Sequence, residues 1–150
     1  AQVHGHCLTG ALELALGCDF IIAAESARFA DTHGRWGMTP TWGMSQRLPR
    51  RIGAARAREM MFTGRNVAGA EAAAIGLANA CVPDDQLDSY VRALADSIAA
   101  NSAHTVRADK WLVHSGQALS LPEALAFERK NSPGRSPDMA ERLKEFGAKQ

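Results

Sequence analysis

Apolar residues come in short blocks through the first half of the chain and at helical spacing through the second, so the pattern predicts mixed α/β structure followed by helices. Residues 1–8 read as a strand, 10–17 as a short helix, 19–24 (Asp19-Phe20-Ile21-Ile22-Ala23-Ala24) as a buried strand and 27–31 as a further extended piece. Gly34, Gly37, Pro40 and Gly43 then interrupt any regular pattern, and a loop of this kind presents side chains to a ligand. A helix starts near Trp42, with Pro49 bending or ending it, and another covers 53–62 before the Thr63-Gly64 stop. Small residues from Ala68 to Ile75 form a helix closed by Gly76, and Leu77 to Val82 form a last strand stopped by Pro83. Beyond it Leu87, Val91, Leu94, Ala95 and Ile98 recur at three and four, with Asp84 or Asp85 as the cap and Asn101-Ser102 as the break. Helices over about 104–115, 121–130 and 137–147 follow, separated by Gly116 and by the Ser132–Pro137 segment. The organisation expected is one incomplete domain, with 1–83 as α/β core and 84–150 as a helical region.

Composition narrows the function classes. A formal net charge of +1 argues against a nucleic-acid partner, which requires clustered, uncompensated Lys and Arg. The run Arg47-Leu48-Pro49-Arg50-Arg51 is the basic patch on offer, and it reads as a solvated helix face or a subunit contact. Three widely spaced cysteines, Cys7, Cys18 and Cys81, suit reduced thiols of a cytoplasmic protein and are expected in the core. No apolar run approaches the roughly 20 residues that span a bilayer, so no membrane partner is expected.

The chemistry-bearing stretch is Val3-His4-Gly5-His6-Cys7-Leu8-Thr9-Gly10-Ala11-Leu12-Glu13, a glycine and a carboxylate at the mouth of a helix that follows an apolar strand. A backbone N–H at a helix start can donate to an oxygen that becomes negative during acyl chemistry. A side chain at Gly10 would block that approach, and the turn can also demand a positive φ there. The plainer reading is a glycine that ends a strand and a glutamate that caps a helix. His4 and His6, two apart on the predicted strand, could share a face, but two ligands without a third are poor grounds for a metal site, and none is expected. His104 and His114 fall in the helical region as surface or packing residues. Trp36, Met38, Trp42 and Met44 cluster around the glycine-rich loop, as core or as the wall of an acyl pocket.

The ordered set Gly-x-x-Glu-Leu-Ala-x-x-Cys-Asp-Phe-Ile-Ile-Ala, Ala27-Arg28-Phe29-Ala30, Pro40-Thr41-Trp42-Gly43-Met44-Ser45-Gln46-Arg47-Leu48-Pro49-Arg50, Ile52-Gly53, Thr63-Gly64 and Ala74-Ile75-Gly76-Leu77 resembles the enoyl-CoA hydratase/isomerase family, the crotonases. The resemblance covers essentially the whole chain and corresponds to the family's C-terminal portion. It implies a crotonase-like spiral of β-β-α units, incomplete here, followed by a helical trimerisation region, and hence a homotrimer or dimer of trimers. It also implies an acyl-CoA thioester as substrate, with coenzyme A as part of that substrate and no separate cofactor. Because the chain starts inside a strand and without Met, it reads as a fragment, expected to be poorly folded and inactive alone.

Laid on the family pattern, Gly10 takes the place of the second oxyanion-hole donor, with the bulkier Thr9 and Ala11 beside it, and the first donor would lie upstream. Glu13 falls on the first of the two glutamates that hydratases use. The second is replaced: Phe29-Ala30-Asp31-Thr32-His33, with Gly37 four residues on, puts His33 in its place. Imidazole can act as acid or base near neutral pH, and Asp31 can orient the ring; equally, Asp31 can form a turn and His33 line a pocket. Leu8, Asp31, Trp36, Met38 and Trp42 are the residues placed against substrate. The activity implied is addition of water to a 2-enoyl thioester. Double-bond isomerisation, another enolate chemistry such as decarboxylation, and a catalytically silent CoA-ester-binding or assembly homologue are the alternatives.

Overall fold

The computed structural model describes residues 1–147. The stretch read as one strand over 1–8 is two, β1 (Gln2–Val3) and β2 (His6–Leu8), because Gly5 takes φ +60° and turns the chain between them. The turn sends the two strands into different sheets. After helix α1 (Gly10–Leu16), the chain repeats the pattern with β3 (Ile22–Ala24) and β4 (Arg28–Ala30). β3 lies parallel to β1 in the first sheet and β4 parallel to β2 in the second, so each β-β-α turn stacks on the one before. The corners are tied as well, since Arg28 N donates to Gly5 O at 2.7 Å.

The predicted strand at 19–24 begins late for a visible reason. Ile21 exchanges its backbone bonds with Asn79, its N–H donating to Asn79 Oδ1 at 3.0 Å and its carbonyl accepting Asn79 N at 2.7 Å. A third pass of the chain adds the last strand to each sheet. β5 (Val67–Ala68), which the sequence pattern did not reveal, runs antiparallel to β4, and after α4 (Gly69–Ala74) strand β6 (Ala80–Val82) lies parallel to β3. The sheet orders are therefore β1-β3-β6 and β2-β4-β5, with β1 and β2 at the ends.

Between the second and third passes lie α2 (Met44–Ile52) and α3 (Ala54–Thr63). Pro49 does not end α2. An interior proline costs about 3 kcal/mol, whereas burying each large apolar side chain returns about 1.5–3 kcal/mol. Met44, Leu48 and Ile52, one turn apart, are all buried, so the helix persists to Gly53. They join Leu12, Ile21, Phe29, Met60, Val67 and Leu77 in one core. The cysteines depart from the expectation that all are core: Cys7 is buried, and burial pushes its thiol up to about 11, but Cys18 is exposed and Cys81 half-buried.

Contacts divide the chain into two compact units, Ala1–Arg92 and the part from Ala93 onward, and the division falls inside α5 (Leu87–Ala99). The second unit holds α6 (Ala103–Gly116), α7 (Leu121–Asn131) and α8 (Met139–Gly147). The Trp111 and Phe127 rings, 5.4 Å apart, join α6 to α7, and a Ser120–Glu123 capping box opens α7. Asp138 ties the start of α8 to the start of α6: it accepts from Ser102 Oγ at 2.8 Å and from Arg142 Nε at 2.5 Å. No described helix is long and apolar enough to cross a membrane.

Two stability outcomes follow. A Cβ on Gly69 would sit 2.2 Å from the Ala24 carbonyl oxygen and 3.0 Å from Cys81 Sγ, a clash with backbone that only a shift of β3 can relieve. Gly69→Ala should therefore lose about 3 kcal/mol or more, the upper end of overpacking costs, in a denaturant titration; an unchanged midpoint would contradict the packing described. Asp138 is held well below the usual carboxylate range, first by Arg142 and then by Ser102 and Ser136. Its contribution is thus present above about pH 3.9 and is lost only as pH falls through the depressed folded value. Asp138→Asn should weaken the α6–α8 contact at neutral pH and remove this acid dependence, as followed by amide exchange of the α8 N-terminus.

Candidate active site

Glu13 lies in the first turn of α1 and is only 2% exposed, so its carboxyl must find partners inside the protein. It finds them in the backbone at the start of α2. Oε1 accepts the N–H of Trp42 at 2.9 Å and of Met44 at 3.0 Å. Gly43, between the two donors, adopts φ +113°, which lets both N–H groups converge on one oxygen. With Oε1 engaged by two groups that can only donate, proton exchange falls to Oε2.

Oε2 faces His33. The distance from Oε2 to His33 Nε2 is 3.8 Å, too long for a direct hydrogen bond. His33 opens a turn of 3-10 helix, His33–Trp36, and is buried, as is Asp31. Asp31 Oδ1 accepts the backbone N–H of His33 at 3.1 Å and lies 2.5 Å from Nδ1 of the same ring. A carboxylate on Nδ1 makes that nitrogen the proton bearer and leaves Nε2 open toward Glu13. The three side chains thus form a buried carboxylate–imidazole–carboxylate line.

Gly10 is the first residue of α1, so its N–H stands outside the helical ladder. The positive φ considered for this turn belongs to Thr9, at φ +52° and ψ −113°, and not to Gly10. The close neighbour at position 10 is a side chain: an added Cβ would lie 3.0 Å from the Trp42 indole.

Glu13, His33, Asp31, Gly10 and Trp42 therefore come together. Leu8, half-buried, pairs with Ala30 across β2 and β4 beside Asp31. Trp36 and Met38 are exposed; Met38 reaches the pair only through its N–H, which donates to His33 O at 3.1 Å. Met44 is a core residue, which separates it from the other three members of the predicted aromatic and thioether cluster. His4 and His6 are both exposed, and the turn at Gly5 removes them from a common strand face. Sequence reasoning missed the backbone donors at 42 and 44, for which Gly43 was the available signal. It also missed a hydrogen bond between the Thr9 and Thr32 hydroxyls, which nothing in the spacing announces.

Stacked β-β-α turns define a crotonase-type fold. Comparison with known proteins agrees. The family profile described as enoyl-CoA hydratase/isomerase matches residues 1–145. The short-chain-enoyl-CoA hydratase of Clostridium acetobutylicum is 36% identical over 128 residues, 85% of this chain and 49% of that protein. The crystal structure of enoyl-CoA hydratase from Bacillus anthracis superposes with a TM-score of 0.92 at 36% identity, over 97% of this chain and 57% of that one. That of enoyl-CoA hydratase from Mycobacterium tuberculosis H37Rv does so with a TM-score of 0.74 at 42% identity, over 85% and 58%. The chain belongs to the enoyl-CoA hydratase/isomerase family, and it spans about half the length of the curated relatives it matches.

The neighbour that would meet a Cβ at Gly10 is the far end of an exposed indole, which can swing aside, unlike the carbonyl beside Gly69. Gly10→Ala should thus cost under about 1.5 kcal/mol, small for an added core methyl, while shifting the Trp42 emission relative to a Trp42→Phe control. A melting loss as large as that of Gly69→Ala would show that Trp42 is locked in place.

Proposed function

We propose that the protein containing this chain hydrates a 2-enoyl-CoA thioester, with Glu13 and His33 as its two proton-transfer groups. The observation that carries the reading is the facing of Glu13 Oε2 and His33 Nε2, each on a group whose other polar atom is already held. Water adds to C3 of the enoyl group, and a proton is delivered to C2. A gap of 3.8 Å is short enough for one water to touch both atoms, so the pair can orient that water and move its proton. The Gly10 N–H is assigned to the thioester oxygen, where it stabilises the enolate. Trp42, Leu8, Trp36 and Met38 are assigned to the acyl chain and its entrance. Coenzyme A enters as part of the substrate, and no other cofactor takes part.

The second unit is assigned to assembly of a homotrimer or dimer of trimers. Val113, Leu121, Leu143 and Phe146 are exposed there, which supports a surface that another subunit covers. The 150-residue chain on its own is expected to be inactive, since β1 and β2 stand at sheet ends that would remain open.

Glu13→Gln should keep thioester binding and lower turnover by roughly two to four orders of magnitude, the usual worth of a general acid–base group. His33→Ala should remove hydration while leaving binding, and His33→Glu should restore it through two carboxylates. Turnover of a short 2-enoyl-CoA at saturation, with binding read by calorimetry, checks all three. Hydration indifferent to both His33 variants would leave Glu13 as the single acid–base group and make double-bond isomerisation the better reading. Unchanged turnover in Glu13→Gln would remove the mechanism altogether.

A further inference from the structure

Thr9 and Thr32 have no step in the proposed reaction, yet each lies on a segment that carries one of its two proton-transfer groups. The Thr9 carbonyl accepts the N–H of Glu13 at 3.0 Å and so starts the turn on which Glu13 rides. Thr32 lies between Asp31 and His33 and is buried. Their hydroxyls are hydrogen-bonded to each other. Thr9 is also the one non-glycine residue among those described with a positive φ, at φ +52° and ψ −113°, a conformation that a β-branched side chain avoids. It is held there from two sides, by its own N–H to Ala30 O at 2.9 Å and by the Thr32 hydroxyl.

We propose that the Thr9–Thr32 hydroxyl pair is a clamp that sets the separation of Glu13 and His33. Thr9 and Thr32 are thereby positioning residues for the acid–base pair, and the inference rests on the hydratase reading given above. Released from Thr32, Thr9 can relax toward an ordinary φ, which turns the first residues of α1 and moves Glu13 away from the imidazole. A proton route across a gap of 3.8 Å tolerates little of that motion, since a misplacement of about 1 Å can cost on the order of a hundredfold in rate.

The test uses Thr32→Val, which keeps the volume and removes the hydroxyl, and Thr32→Ser, which keeps the hydroxyl. In the protein containing this chain, Thr32→Val should lower kcat for a short 2-enoyl-CoA by about ten- to a hundredfold with KM within about twofold. Thr32→Ser should return kcat to near the starting value, and Thr9→Val combined with Thr32→Val should be no slower than the slower single variant. The ring NMR signals of His33, its Nδ1–H above all, should move in Thr32→Val and return in Thr32→Ser. A lower melting temperature with kcat and the His33 signals unchanged would overturn the clamp and leave the bond a purely structural one. If Thr32→Val does not fold, Thr9→Ala cuts the same bond from the other side and decides by the same readouts. The two layers separate cleanly. A parent protein that hydrates nothing while its His33 signals still move in Thr9→Ala, a substitution remote from His33 in the chain, defeats the hydratase reading and keeps the clamp. A His33-dependent hydration that ignores Thr32→Val does the reverse.

Discussion

The pair of backbone hydrogen bonds from Trp42 and Met44 to Glu13 Oε1 is the interaction on which the first unit turns. A carboxyl so deeply buried is costly without partners, and its two donors come from the start of a helix about thirty residues away. The bonds fix where α2 begins, seat Met44 in the core, and bring the Trp42 ring over Gly10. One carboxyl therefore fastens α1 to α2 and leaves its second oxygen turned to His33. The group that would do chemistry is also the group that holds the local packing together. The site residues are thus fastened by tertiary bonds although the strands that lead to them are only three residues long.

Much of this was legible in the sequence, and the rest was hidden for physical reasons. Helices with a periodic apolar face, such as Leu87–Ala99 and Leu121–Asn131, follow directly from spacing and caps. The break at Gly5 was not read, because an apolar–polar alternation continues across it and only a backbone angle reveals the corner. Strand β5 is two residues long and leaves no period to detect. Pro49 misled by its intrinsic preference, which the burial of Met44, Leu48 and Ile52 overrides. Cys18 misled by composition, since a free thiol is usually inside and this one lies just past the end of a helix, exposed.

At the site the division is sharper. Glu13, His33, Asp31, Gly10 and Trp42 were all named from motif positions, and the fold brings them into one line of contacts. The side chains were legible because their chemistry is carried by residue type. Backbone donors are not, since every residue but proline has one and only tertiary structure says where it points. The positive φ at Thr9 is invisible for a related reason: the glycine beside it is the residue to which sequence logic assigns such an angle. Trp36 and Met38 sit near His33 in the chain but turn outward, because a 3-10 turn separates neighbours that an extended segment would have aligned.

His33 is tied to a carboxylate two residues before it. Two carboxyls facing each other in a buried site repel when both are ionised, whereas an imidazole facing Glu13 can carry the opposite charge. An imidazole alone would be free to rotate and to place its proton on either nitrogen. Asp31 removes both freedoms, taking the Nδ1 side of the ring while also accepting the His33 backbone N–H. The ring therefore lies between two carboxyl groups whose positions are set by separate backbone contacts. Histidine at this position therefore asks for a carboxylate two residues before it and for a backbone turn that folds the two together. Asp31 and the turn that starts at His33 supply both. Thr32, between Asp31 and His33, ties this segment to the turn that carries Glu13.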